Sequence, residues 1–385
     1  MKPATEIIRA EPSGEEAAPL TTPIYETTTF VFGTAQEVRE YNEGRSHKFL
    51  YSRYANPTVT AVERTVAALE QAEAALVLSS GQAATTTALL ALCSAGDEIV
   101  CSSAIYGGTL HLISDLLPKF GISARFVSLE ELARPAAICS DATRLVWFES
   151  PINPTLRCVD VAAVAAACRA RGVISVIDNT FASPINQQPI TLGVDLVMHS
   201  ATKYLNGHSD VTAGVLAGPS RLLDSILKTR KLLGTVLDPY AAYALGRGLK
   251  TLAVRMERHN TTAMTIARWL ARDRRVQTVY YPGLEEHPDH AIARRQMHGF
   301  GGMICLDVGG GYAAAERFFD RLTVFRRAAS LGGVESLCSL PVLTSQWGHS
   351  EEELARAGVT HSMARLSVGL EDPEDLIADL DQALG

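Results

Sequence analysis

The seven cysteines of this 385-residue chain form no C-x-x-C pair and no regular spacing, which argues against a zinc-finger type of thiolate site and against a disulfide framework. Cys93, Cys101, Cys139, Cys158, Cys168, Cys305 and Cys338 stand singly, mostly among apolar neighbours, and are expected to be small buried hydrophobes. Long Lys/Arg blocks are missing too, and the net charge is -7. Neither counterion release on nucleic acid nor a polybasic membrane patch is therefore available. No apolar run reaches the roughly 18 residues that span a bilayer, and Met1 to Pro19 has no apolar core of signal-peptide length. The expectation is a cytoplasmic protein with a small-molecule partner, no nucleic acid and no membrane. Neither G-x-G-x-x-G nor G-x-x-x-x-G-K-[ST] occurs, so the dinucleotide and nucleotide phosphate loops drop out. His287, His290 and His298 crowd one stretch. Without accompanying Cys or an H-E-x-x-H helix they read as a solvated loop and helix face, and no metal is expected.

What is present is an apolar content of 47% against 20% charged, enough for one large domain with a smaller companion. From about residue 56, short apolar runs alternate with longer helical patterns: 75–78, 98–101, 124–129, 145–149, 173–178 and 195–199. That alternation predicts an α/β fold with a mostly parallel sheet wrapped by helices. Asp160 is placed to cap an Ala-rich helix over 161–171 that Gly172 ends, leaving a strand on each side. After about residue 250 the pattern shifts to a charged helix (255–272), strands at 276–280, 302–308 and 364–368, a helix near 313–322, and a last helix that Asp372 caps. The predicted division is an arm over 1–55, a large domain over 56–250 and a small α+β domain over 251–385.

In open α/β sheets ligands bind beyond the carboxyl ends of the strands, so the polar residues closing each run are the ones to inspect. One run ends in Asp178-Asn-Thr180 and the next in Ser200-Ala-Thr202-Lys203. Alone, the acid and the lysine read equally as an ion pair. Pyridoxal-phosphate (PLP) chemistry needs the same two groups apart, a lysine for the aldehyde and an acid on the pyridine nitrogen. Ser79-Ser80-Gly81-Gln82 opens a helix, whose first N-H groups suit a phosphate, and Ser200 and Thr202 offer hydroxyls. Tyr106, closing another strand, is placed to stack on a ring.

Taken together, PIYETTTF, YSRYANPT, SSGQAA, YGGT, ESPINP, VIDNTF, HSATKYLNGHSD, RGLKTL, SLGGVESL and RLSVGLED resemble, in order and over nearly the full length, the PLP-dependent Cys/Met-metabolism (trans-sulfuration) enzymes. The resemblance implies the aspartate aminotransferase-like fold type I and PLP as cofactor. It implies Lys203 as the Schiff-base lysine, Asp178 on the pyridine nitrogen, Tyr106 on the ring, and Gly81, Gln82, Ser200 and Thr202 around the phosphate. Tyr51 and Arg53 are expected to reach the phosphate of a neighbouring subunit, which makes a homodimer the minimal active unit within an expected homotetramer. Arg365, with Asn153 and the Ser330 main chain, is expected to grip the substrate carboxylate. Glu335 stands where a γ-synthase or γ-lyase carries a carboxylate for a distal amino group.

The activity so implied is γ-elimination or γ-replacement on a sulfur amino acid or O-acylhomoserine, cystathionine γ-synthase/γ-lyase-like. The alternatives are a γ-substituting enzyme with an unusual nucleophile, an O-acylhomoserine sulfhydrylase or a methionine γ-lyase, and, from another class, an aminotransferase. Gly108 stands where methionine γ-lyases usually have cysteine. Three further departures from the family text are His111, the Leu343-Thr344-Ser345-Gln346-Trp347 stretch, and Arg9-Ala10-Glu11.

Overall fold

Between residues 74 and 218 the apolar runs assemble into one seven-stranded sheet, in the order β1-β7-β6-β5-β4-β2-β3. The strands are β1 (Ala74–Leu78), β2 (Glu98–Ser102), β3 (Ser123–Val127), β4 (Thr143–Glu149), β5 (Ile174–Asp178), β6 (Leu196–Ser200) and β7 (Gly214–Gly218). From β2 to β6 every pairing is parallel, and β7 runs antiparallel to both of its neighbours. The computed structural model describes residues 2, 4, 5, 19–132, 134 and 138–385, so the Arg9-Ala10-Glu11 departure lies outside the described residues.

Side chains alternate across the strands, so each face of the sheet needs its own cover. Trp147, Val176 and Met198 pack with Ala84, Ala88 and Leu89 of the helix Gly81–Leu92. Phe148, Ile177 and Val197 pack on the opposite side with Val161, Val164 and Cys168 of the helix Val161–Ala170. That second helix is the crossover between β4 and β5, capped by Asp160, whose carboxylate accepts the Ala163 N-H at 3.2 Å. Gly172 follows it at φ +67, a left-handed position that glycine takes without steric cost.

The sequence pattern does not predict β7, because the strand is short and glycine-bounded. Gly214 is required by closeness: a side-chain carbon there would stand 2.0 Å from the Ser80 carbonyl oxygen.

A second, five-stranded sheet has the order β10-β11-β12-β9-β8. It comprises β8 (Thr278–Tyr280), β9 (Met303–Asp307), β10 (Arg326–Arg327), β11 (Leu337–Ser339) and β12 (Met363–Ser367). The helix Leu252–Leu270 serves both cores. Leu252 and Met256 pack into the core under the large sheet, whereas Ala263, Ile266, Ala267 and Leu270 pack against the small sheet. Asp372 caps the last helix, Pro373–Leu384, by accepting the Glu374 N-H at 2.9 Å.

All seven cysteines are buried. The histidine stretch needs a correction: His287 is buried rather than solvated, with Nε2 3.4 Å from the Thr155 carbonyl, and His290 Nδ1 lies 2.8 Å from the Pro282 carbonyl. Both rings bond to main-chain carbonyls, so they hold loops. Among the described residues no helix is long and apolar enough to cross a membrane.

Residues 19–55 form a different kind of structure. Their helix, Ala35–Asn42, buries no residue, and Leu20 and Val31 are 96% and 93% exposed. The segment bonds mainly to itself, as in the Phe30 N-H to Leu50 carbonyl bond at 3.1 Å.

Candidate active site

The parallel pairing brings the carboxyl ends of β4, β5 and β6 side by side. Glu149 is in register with Asp178, and Asp178 with Met198, two residues before Ser200. Thr180 donates to Asp178 Oδ1 through both its hydroxyl and its N-H, the latter at 3.0 Å, and its hydroxyl accepts the Ser200 N-H at 2.8 Å. Thr180 therefore locks the two strand ends together. Burial pushes the Asp178 carboxyl up, while the Thr180 bonds and the nearby His199 pull it down. His199 itself is buried against Glu70, which also accepts from Asn179.

Three residues beyond Ser200, Lys203 sends its amine to Ser330 Oγ at 3.0 Å. Burial, and then the Arg365 charge, lower its pKa. No carboxylate pairs with Lys203 among the described residues, so the plain ion pair with Asp178 is not formed.

Arg365 lies in the middle of β12 and is only 7% exposed. Its guanidinium donates to Asn153 Oδ1 at 2.8 Å and to the Ser330 carbonyl at 3.3 Å. It has no acidic partner among the described residues. A buried cation held by neutral oxygens has spare hydrogen-bonding capacity for an anion, and a guanidinium fork suits a carboxylate. Ser330 touches both cations, through its carbonyl and through its hydroxyl.

The expected phosphate end is built by backbone. Ser80 is the N-cap of the helix Gly81–Leu92, its hydroxyl accepting the Ala83 N-H at 2.9 Å. The N-H groups of Gly81 and Gln82 have no acceptor within the helix. A side-chain carbon on Gly81 would stand 2.9 Å from Ser200 Cβ, so glycine lets the helix end approach the β6 end. The Thr202 hydroxyl accepts the Ala213 N-H at 3.0 Å and is 3.2 Å from the Ala213 carbonyl; it also ties β6 to β7. The Gln82 amide donates to the Gly108 carbonyl at 3.1 Å, leaving the backbone N-H as the group for an anion.

Tyr106 is 53% exposed, and its N-H donates to Glu149 Oε1 at 2.7 Å. A side-chain carbon on Gly108 would stand 2.5 Å from Tyr106 Cε1. The ring thus lies back over Gly108. Beside it, a carbon on Gly107 would be 3.5 Å from the Ser345 carbonyl, which brings the divergent 343–347 stretch to this rim. His111 faces outward and pairs with Asp115 at 3.1 Å.

Tyr51 and Arg53 are not brought here within one chain. Arg53 donates to the Lys231 carbonyl at 2.6 Å and lies over the rings of Tyr51 and Tyr54 at 5.5 and 5.1 Å. Glu335 is half-buried and accepts from Ser209 Oγ at 3.2 Å, on the segment that follows Lys203. Sequence reasoning missed Glu149 and Thr180 as members of the site. Both close apolar runs, which was the available signal.

A half-buried lysine without an acidic partner, an acid at the adjacent strand end, free N-H groups at a helix start and an unneutralised buried arginine fit PLP and an amino-acid carboxylate. Comparison with known proteins agrees. The chain is 42% identical over 95% of its length to a cystathionine γ-synthase of Nicotiana tabacum, 68% of which is covered. It is also 42% identical over 95% of its length to an L-methionine γ-lyase of Pseudomonas putida, 92% of which is covered. A solved cystathionine γ-lyase of Lactobacillus plantarum, complexed with L-serine, superposes with a TM-score of 0.92 at 37% identity, covering 100% of this chain and 98% of that one. A family model described as Cys/Met metabolism PLP-dependent enzyme matches residues 4–385, and the chain belongs to that family of PLP-dependent enzymes.

Proposed function

We propose that this enzyme performs γ-elimination or γ-replacement on an amino acid whose γ-carbon carries sulfur or an acyloxy group, with cystathionine-type chemistry as the leading assignment. The observation that carries the reading is Ser330, which binds the Arg365 guanidinium through its carbonyl and the Lys203 amine through its hydroxyl. One residue thereby sets the spacing between a carboxylate receptor and a proton-transferring amine.

When bound, PLP supplies an electrophilic aldehyde and an electron-withdrawing ring that stabilises negative charge at the α-carbon. Lys203 would hold the aldehyde in the resting enzyme, Asp178 would keep the pyridine nitrogen protonated, and the N-H groups of Gly81 and Gln82 with the hydroxyls of Ser200 and Thr202 would take the phosphate. Arg365 and Asn153 orient the substrate by its α-carboxylate. Displaced from the aldehyde by the substrate amino group, the Lys203 amine, its pKa lowered by burial, would remove the α-proton, pass it on to the cofactor and, neutral again, remove the β-proton. The Tyr106 hydroxyl donates a proton to the departing sulfur or oxygen. Glu335 receives the distal amino group of a cystathionine-like substrate.

Gly108 favours this reading over a methionine γ-lyase, because it stands where those enzymes usually carry a cysteine. The exposed arm, with Tyr51 and Arg53, completes the phosphate site of a neighbouring subunit in a cytoplasmic homodimer or homotetramer. The divisions near 55 and 250 separate that arm, the cofactor-binding domain and the C-terminal domain.

The test is a panel of cystathionine, methionine, cysteine and O-acylhomoserines, the last with thiols, reading 2-oxo acid and product mass. Turnover of cystathionine or of an O-acylhomoserine supports the assignment. Amino-group transfer with the side chain retained would make the protein an aminotransferase.

A further inference from the structure

Two carboxyls end adjacent strands, and the cofactor chemistry uses only one. Glu149, the last residue of β4, is in register with Asp178, the last residue of β5. Glu149 is 5% exposed, whereas Asp178 keeps an open side. Among the described residues no Lys, Arg or His forms an ion pair with Glu149. Its recorded hydrogen bond is the one it accepts from the Tyr106 N-H at 2.7 Å.

These surroundings divide the two acids. Burial pushes the Asp178 carboxyl up as well, but its two donors from Thr180, and then the nearby His199, oppose that rise. Glu149 has one backbone donor; burial first, and then the Asp178 charge, push its carboxyl well above the usual range. Like charges on neighbouring buried carboxyls are not both retained, and the proton goes to the group with fewer stabilising donors.

The Tyr106 end shows what a neutral Glu149 does. Tyr106 precedes the short helix Gly107–His111 and has no side-chain cap bond, so its backbone is fixed on this side by Glu149. Its ring is fixed on the other side by the space over Gly108.

Resting on the PLP reading above, we propose that Glu149 is a positioning residue: as a neutral acid it anchors the Tyr106 backbone, and with it the ring that covers the cofactor, while leaving Asp178 the only charge at the pyridine nitrogen. Glu149→Gln keeps a neutral oxygen for the Tyr106 N-H. Glu149→Ala removes it.

The apo chain is reconstituted with PLP, and the dissociation constant and cofactor absorbance are measured for both variants. Glu149→Gln should stay within about twofold of wild type, and Glu149→Ala should bind roughly tenfold more weakly, the scale of one lost buried hydrogen bond. A Gln variant as impaired as the Ala variant, or an Ala variant equal to wild type, overturns the proposal. If the Ala variant fails to fold, the infrared difference spectrum between apo wild type and apo Glu149→Gln at neutral pH decides. It should show the carbonyl stretch of a protonated carboxylic acid, and a carboxylate band in its place overturns the proposal. That reading needs no cofactor, so it is separate from failure of the PLP assignment, which borohydride trapping at Lys203 tests.

Discussion

Replacing Arg365 with methionine, a side chain of similar length without charge, separates binding from architecture. Arg365 donates to two neutral oxygens, Asn153 Oδ1 and the Ser330 carbonyl, and faces no carboxylate among the described residues. Its loss therefore leaves no buried anion behind. The unmet oxygens cost about 1–3 kcal/mol each, while relief of a buried unpaired cation returns several kcal/mol. Stability without substrate is expected to change by no more than about 2 kcal/mol as these terms offset each other.

Substrate binding should suffer far more. A charge-assisted carboxylate bond is worth about 1.5–3 kcal/mol, or roughly 10- to 100-fold in affinity. The assay titrates the holoenzyme with an amino acid lacking a γ-leaving group and follows the cofactor absorbance, with urea unfolding of the apo chain alongside. The internal control is Glu63→Ala, which breaks the buried Glu63–Arg230 pair (2.7 Å). Because it takes the counter-charge from Arg230 and leaves it only the Val77 and Tyr54 carbonyls, it should cost about 3–5 kcal/mol of stability. If Arg365→Met leaves amino-acid affinity intact, the carboxylate is held elsewhere. If it destabilises the apo chain as much as Glu63→Ala, Arg365 is structural.

Lys203→Ala should abolish both turnover and borohydride-trapped cofactor, and trapping on any other lysine would displace the assignment. Co-expressed Lys203→Ala and Arg53→Ala subunits should regain activity in the mixed dimer, since one of its two sites then carries neither lesion; purified heterodimers as inactive as their parents would place Arg53 outside the site. His259 is wholly buried, with Nδ1 2.8 Å from the Val368 carbonyl, and burial lowers its pKa from 6.5 to about 4. Its contribution is complete above pH 6.5 and is lost as pH falls toward 4, amounting to about 2 kcal/mol by pH 5 and about 3 kcal/mol by pH 4. Urea midpoints should show that slope in wild type and a flatter one in His259→Gln; parallel slopes would contradict it.

The parts of this fold that could be read from sequence are those where one local rule acts alone. The runs that became β1 to β6 are apolar and bounded by turn residues, and Asp160 and Asp372 cap helices as their side chains dictate. What was not legible depends on contacts distant in sequence. β7 exists because it fills the space between β1 and β6, and β10 and β11 because β12 offers an edge. His287 looked solvated among polar neighbours, yet Thr155, far away in sequence, covers it. For the site, long motifs carried Lys203, Asp178 and Arg365. Glu149 lay within one of them and was passed over, because only the register of β4 against β5 brings it to Asp178.

The helix Leu252–Leu270 has a consequence for how this chain can be cut or recombined. Its first turns belong to one core and its later turns to the other. A fragment ending at residue 250 would expose the surface that Leu252 and Met256 cover, and a fragment beginning there would carry the same two side chains into water. Neither half is a transplantable module. The lysine on one side and the arginine on the other have to be inherited together, as a single piece of polypeptide.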